Sequence, residues 1–169
     1  MQPDELDLAL LRMLIEEPRA GSREYARVLG VARGTVQARL TRLERSDVIA
    51  TYAPTLRPAA LGYGVSAYVH LHLAQGKLDV VVDGLREIPE VLEAFTTTGE
   101  ADMVCRAVAH DNGHLEDILQ RVLAVPGVVR TRTEIALKQR ISPRVLPLLQ
   151  RGHETKHHPA DPDGVSSGG

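Results

Sequence analysis

The sequence predicts an α+β chain in two parts, and three observations carry that reading. Apolar residues recur at helical spacing as far as Leu43. They alternate at strand spacing from Val65. A proline-stopped helix end repeats in the second part at an offset of 37 residues. The length, 169 residues, gives room for one ordinary domain or two small ones. With 43% apolar residues, one Phe and no Trp, the core has to be aliphatic. No run approaches the ~20 apolar residues that span a bilayer, and the N-terminus lacks the basic-then-apolar pattern of a secretory signal. The single cysteine, Cys105, offers no disulfide within the chain and fits a reducing cytoplasm.

The first helix is expected between Met1 and Pro18. Pro3 and Asp4 suit its start, and Asp4, Glu5 and Asp7 suit the positive end of its dipole. Leu10, Leu11, Leu14 and Ile15 form its inward stripe, and Pro18 with Gly21 stops it. Ser22 is placed to cap a second helix, SREYARVLG, with Ala26 and Leu29 inward. Gly30 closes that helix, because glycine takes the left-handed conformation a tight turn needs.

The third helix lies in the stretch Gly30–Ile49, with Val36, Leu40 and Leu43 as its apolar stripe. Ala32 stands where Ser or Thr would cap it, at a cost of about 1 kcal/mol. Asp47 stands near its end, where Gly would be easier. Val48–Leu56 reads as a short strand, made an edge or connector by Pro54 and Pro58. The stretch 57–64, RPAALGYG, reads as a short linker.

The second part opens on a two-faced strand. Val65, Ala67, Val69, Leu71 and Leu73 face one way, and Ser66, Tyr68, His70 and His72 the other. A helix follows over Lys77–Ile88, with Leu78, Val81, Leu85 and Ile88 inward, and then a strand over Val91–Thr98. The turn Gly99-Glu100-Ala101-Asp102 leads to a strand over Met103–Ala109. Asp111 or Asn112 caps the next helix, whose stripe is Leu115, Ile118, Leu119 and Val122, and a last strand runs from Val128 to Leu137.

The order is βαββαβ. Ile88-Pro89-Glu90-Val91 and Val125-Pro126-Gly127-Val128 occupy the same place in each half, so the unit is a duplicated βαβ, the ferredoxin-like architecture. Its helices cover one sheet face. A second copy of the chain is the natural cover for the other, which predicts a dimer through the sheets. The expected domains are thus residues 1–56 (helix-turn-helix, winged-helix-like), the linker 57–64, residues 65–141 (ferredoxin-like), a short C-terminal helix within 142–151, and a disordered tail over 152–169.

The net charge of −2 hides a segregation. From Ser22 to Arg57 seven arginines face Glu24, Glu44 and Asp47, leaving +4, whereas residues 59–150 carry −2. No lysine precedes Lys77, and guanidinium suits bidentate contact with phosphate and guanine. Three helices in this order, with a glycine turn before the third, read as a DNA-binding helix-turn-helix. Arg33, Thr35, Gln37, Ala38, Thr41 and Arg42 are the candidates for contact with bases or adjacent phosphates, and Arg45 and Arg23 for the DNA backbone. Arg39 flanks the apolar stripe, where it serves either DNA or an ion pair with Glu44 or an N-terminal acid. The patch is small enough that useful affinity needs a dimer.

Other constellations come to little. His70 and His72 begin a metal pattern with no third ligand fixed nearby, and sheet-face or dimer-interface packing suits them better. Cys105 alternates with Met103 and Ala107, which reads as a buried inert thiol. No nucleophile–base motif, P-loop or dinucleotide fingerprint is present, so neither an enzyme nor a cofactor is expected.

The order and spacing of Leu6-Asp7, GVARGTVQARLTRLERSDVI, VIATYAPTLRPAALG and TTGEADMVCRAVAHD resemble the leucine-responsive and asparagine regulator (Lrp/AsnC) family of prokaryotic transcription factors, over roughly residues 4–141. Ala32, Asp47 and Ala101 depart from the family pattern, which has a capping residue, usually a glycine, and commonly an aromatic there. The resemblance implies a DNA-binding regulator that dimerises and often assembles into tetramers or octamers. It also implies an amino acid or related effector bound by the second domain. It points to Thr98, Gly99, Glu100, Ala101 and Asp102 as the effector loop. Backbone N–H groups around Gly99 can receive an α-carboxylate, and Asp102 can pair with an α-ammonium. The bland alternative is a hairpin whose Gly and Asp serve only the turn. At the level of function, the alternatives are an architectural DNA-organising protein indifferent to effectors, and a sensing domain whose helix-turn-helix contacts protein.

Overall fold

A computed structural model describes residues 2–149. The described residues up to Ala53 and from Ser142 form one compact unit, and Pro54–Ile141 form the other. The division falls ahead of the expected Leu56, and it groups the linker with the second unit. The expected tail, 152–169, lies outside the described residues.

The first unit holds α1 (Glu5–Glu16), α2 (Gly21–Leu29) and α3 (Arg33–Arg45). Asp4 caps α1 in a reciprocal box. Its side chain accepts from the Asp7 N–H at 2.9 Å, and the Asp7 side chain accepts from the Asp4 N–H at 3.0 Å. The core packs Leu10 and Leu11 against Tyr25, Ala26, Val36, Leu40 and Leu43. Tyr25, not expected in this core, donates its hydroxyl to the Glu17 carbonyl at 2.8 Å, which satisfies the one polar atom it buries.

Three expectations for this unit need correction. Ile15 is 42% exposed, because the inward stripe of α1 runs through Asp7, Leu10, Leu11 and Leu14 and a carboxylate takes part of the face assigned to leucines. Ser22 does not cap α2. That helix begins at Gly21, behind Ala20 in helical rather than extended geometry, and has no side-chain cap. The strand expected over Val48–Leu56 is not formed. Pro54 supplies no N–H, and the unit offers no partner strand among the described residues.

Gly30 closes α2 in the left-handed region (φ 66, ψ 30), as the turn requires. Ala32 precedes α3 without a side-chain cap, and Asp47 takes φ 59 just beyond its end. Of the short helix expected within 142–151, residues 146–149 are helical. The Leu149 carbonyl accepts from the Arg12 guanidinium at 3.1 Å.

The second unit begins with a 3₁₀ turn, Pro58–Leu61, inside the expected linker. It continues as β1 (Val65–Leu73), α4 (Leu78–Arg86), β2 (Val91–Thr96), β3 (Met103–Ala109), α5 (Asn112–Leu123) and β4 (Val128–Ala136). The sheet is antiparallel with order β2-β3-β1-β4, which is the ferredoxin-like topology. Ala67, Val69 and Leu71 of β1 and Met103, Cys105 and Ala107 of β3 pack beneath α4 and α5, with Val81, Leu85, Leu115, Ile118 and Val122 above them. Leu78 is 41% exposed despite its expected inward place, since it is the first residue of α4 and packing starts a turn later at Val81.

The duplication is visible in hydrogen bonds. Ile88 and Val91 donate to Leu85 and Ile88, and Val125 and Val128 donate to Val122 and Val125, so both helix-to-strand turns are built alike. Gly127 departs from the copy, which has Glu90 there. At φ 103, a Cβ on it would lie 2.6 Å from the Lys77 Cβ. Asp111 caps α5, accepting from the His114 N–H at 2.8 Å. Burial pushes the Cys105 thiol up to about 11, in keeping with an inert core residue.

Candidate DNA interface and ligand depression

The helix geometry of α3 sorts its side chains. Val36, Leu40 and Leu43 are buried. At about 100° per residue, Gly34, Thr35, Ala38, Thr41, Arg42 and Arg45 share the opposite face. Of these only Thr41 is half-buried. Gln37 and Arg33 are also exposed, but they lie about 100° and about 140° round the helix from Ala38. Arg23 is exposed on α2. Five of the expected contacts, Thr35, Ala38, Thr41, Arg42 and Arg45, therefore share one continuous face with Gly34, and Gln37, Arg33 and Arg23 lie apart from it. Arg23, Arg33 and Arg45 pair with no carboxylate among the described residues, so their charge is available to DNA phosphates.

Arg39 and Arg42 are differently placed. Arg39 Nη1 lies 2.7 Å from Asp4 Oδ2 and 2.8 Å from Asp7 Oδ1. Arg42 Nη2 donates to the other oxygen of Asp7 and stands 3.7 Å from Asp4. Of the alternatives for Arg39, the ion pair to an N-terminal acid is the one formed.

The Asp7 side chain is 0% exposed. Such a carboxylate is tolerated only if its oxygens are bonded and its charge is paired, and the Asp4 N–H and two guanidiniums meet both needs. The Arg39 hydrogen bond, helped by the Asp7 backbone, holds the Asp4 carboxyl down at about 2. Arg42 was expected near bases or adjacent phosphates. Part of its guanidinium is fixed to α1, and its side chain remains 45% exposed. Asp7 therefore anchors two arginines of α3 to α1, whereas sequence reasoning assigned it only to the helix dipole. The visible signal was a lone acid on an otherwise aliphatic stripe.

On the second unit, the sheet face away from the helices carries a depression of about 470 Å³. Gly99, Glu100 and Ala101 of the expected effector loop line it, whereas Thr98 and Asp102 do not. Asp102 was expected to pair with an α-ammonium. One of its carboxylate oxygens accepts from the Leu73 N–H at 2.8 Å, and its own N–H donates to the Leu71 carbonyl at 3.0 Å. It fastens the loop to β1. The Thr97 hydroxyl donates to the Ala101 carbonyl within the same turn.

The strands contribute His70 and His72 from β1, Val104 from β3, and Arg130 and Arg132 from β4. Sequence reasoning placed the two histidines on this face but missed the arginines. The alternation Arg130, Arg132, Glu134 along β4 carried that signal.

A three-helix head with an exposed, arginine-bearing recognition face, joined in sequence to a ferredoxin-like domain, defines a helix-turn-helix transcriptional regulator. Residues 3–50 match the family described as winged helix-turn-helix DNA-binding, and residues 66–146 match the Lrp/AsnC ligand binding domain. The HTH-type transcriptional regulator FL11 of Pyrococcus horikoshii is 32% identical over 145 residues, which is 86% of this chain and 96% of that protein. The chain belongs to the Lrp/AsnC family.

Among solved structures, AsnC of E. coli shares the fold with a TM-score of 0.81 at 23% identity, covering 87% of this chain and all of that one. The feast or famine regulatory protein of M. tuberculosis, complexed with L-methionine, is 32% identical with a TM-score of 0.77, covering 84% of this chain and 97% of that one. The relatives are transcriptional regulators rather than enzymes. Among the described residues no helix is long and apolar enough to cross a membrane.

Proposed function

We propose that this regulator acts in the cytoplasm as a dimer or larger assembly and prefers particular DNA sites through α3. In this reading its DNA affinity or assembly responds to an amino acid bound in the depression beside residues 99–101. The working domains are residues 1–56 for DNA and 65–141 for the effector and assembly, with 57–64 between them. Thr35, Ala38 and Thr41 approach bases. Arg45, Arg33 and Arg23 hold the DNA backbone, Gln37 reaches in from the flank, and Arg42 does so while tethered to Asp7. The observation that carries the DNA reading is the small-residue face Gly34–Thr35–Ala38 flanked by guanidiniums, a shape that lets a helix enter the major groove.

The effector reading is supported by a cavity of ligand size, about 470 Å³, and by the L-methionine complex of the M. tuberculosis relative. The dimer reading is supported by the exposed aromatics Tyr68 and Phe95 on β1 and β2, since an uncovered sheet face seeks a partner. One observation favours the effector-independent, architectural reading: Asp102 and Thr97 spend polar groups inside the turn.

A fluorescence-anisotropy titration separates the two readings. It compares DNA from upstream of the protein's own gene with unrelated DNA of equal length, at two salt concentrations, with and without pooled amino acids. Preference for the upstream DNA that changes with the pool is the expected result. Equal, salt-sensitive binding to both DNAs that ignores the pool overturns the effector reading and leaves the architectural one. Light scattering at micromolar concentration tests the assembly, and a monomer contradicts it.

A further inference from the structure

We propose that the amino acid taken by this depression has an acidic side chain, with L-glutamate as its representative; the inference rests on the effector reading above and adds the ligand's chemical class. Its basis is the charge arrangement where β1 and β4 run side by side. His70 stands directly opposite Arg132, and His72 directly opposite Arg130. Opposed side chains on one sheet face have Cβ atoms ~5 Å apart, and next neighbours on that face are ~7 Å apart. Two guanidiniums and two imidazoles therefore border one small patch.

Both arginines line the depression, and each pairs with one exposed carboxylate. Guanidinium only donates hydrogen bonds, so in the 3.0 Å contact between Arg130 Nη2 and His72 Nε2 the imidazole nitrogen accepts. His72 thereby steers Arg130. Glu100 is the carboxylate lining the depression. It lies 3.6 Å from Arg130, with the two side chains 78% and 65% exposed. Glu134, on β4 beyond the depression, reaches the well-exposed Arg132 at 2.9 Å and the half-buried His70 Nε2 at 3.8 Å.

Ion pairs this exposed are weak, and a ligand carboxylate that engages a guanidinium with both oxygens displaces them. The like charges of Arg130 and Arg132, two positions apart on one strand, also favour an anion between them. Val104 offers an apolar floor for the ligand's methylene groups. An α-carboxylate at the Gly99 backbone and a side-chain carboxylate at the two arginines use both ends of the site.

The test is calorimetric titration of the intact protein with L-glutamate, its neutral isostere L-glutamine, and L-methionine. The expected result is at least about tenfold tighter binding of L-glutamate than of either neutral amino acid, an advantage that shrinks at high salt. Arg132→Ala is expected to cost L-glutamate at least about tenfold and to leave L-glutamine within about twofold, with unchanged thermal melting as the folding control. L-glutamine or L-methionine binding as tightly as L-glutamate overturns the acidic class while leaving the effector reading standing. No heat from these three, nor from the other protein amino acids at millimolar concentration, overturns both.

Discussion

The recognition helix and the sheet are both supported from beneath, the first partly by a buried carboxylate and the second by aliphatic side chains. Under α3 lies Asp7, fully buried and bonded to Arg39 and Arg42. Under the sheet lie Val69, Leu71, Ile118 and their neighbours, with Cys105 as the most polar member of the cluster. A charged support is directional. It fixes where two guanidiniums of α3 sit, one of them on its exposed face, whereas an aliphatic support fixes only shape and volume. Orientation of α3 thus rests on charge, and bulk stability of the ligand-binding domain on packing.

Four substitutions can break or sharpen this contrast. Ile118→Ala, at a fully buried site beneath α5, should cost about 4 kcal/mol in urea unfolding, from lost burial plus a cavity. It should leave the preference between DNA sites unchanged in the surviving folded protein. Asp7→Ala should cost about 3 kcal/mol, the lower part of the range for breaking a buried pair, because the two guanidiniums left behind reach water. Unlike Ile118→Ala it should also reduce the preference for upstream over unrelated DNA in anisotropy titrations.

Arg45→Ala should weaken all DNAs alike by about 1 kcal/mol and flatten the salt slope by about one unit, as loss of a phosphate contact does. The smallest effect is acidic. A carboxyl held at about 2 instead of its ordinary 3.8 adds stability above pH 4, which is lost as the pH falls through about 2. Melting temperatures between pH 5 and pH 2 should therefore fall less steeply for Asp4→Asn than for the parent protein.

The legibility of the two units differed for the same physical reason. Alternation and helical spacing report burial of apolar groups, so βαββαβ, the inward faces of β1 and β3, and the stripes of α3 and α5 could be read directly. The repeated turns at Ile88–Val91 and Val125–Val128 located both helix-to-strand junctions. Periodicity says nothing about polar groups that meet across long sequence separations. Asp7 with Arg42, Asp102 with the Leu73 N–H, and Arg130 with His72 all escaped it. Local propensity misled at Val48–Leu56, where strand-like residues lack a partner, and at Ser22, where backbone geometry rather than residue type decides whether a cap forms.

The central claim is that Arg42 serves DNA recognition through Asp7. A double-mutant cycle on Asp7→Asn and Arg42→Gln, read as the ratio of affinities for upstream and unrelated DNA, tests it most directly. The account predicts that each single substitution lowers the ratio and that the double substitution lowers it no further than the larger single effect. Losses that add in full would mean that Arg42 reads DNA independently of its tether, and would contradict the account.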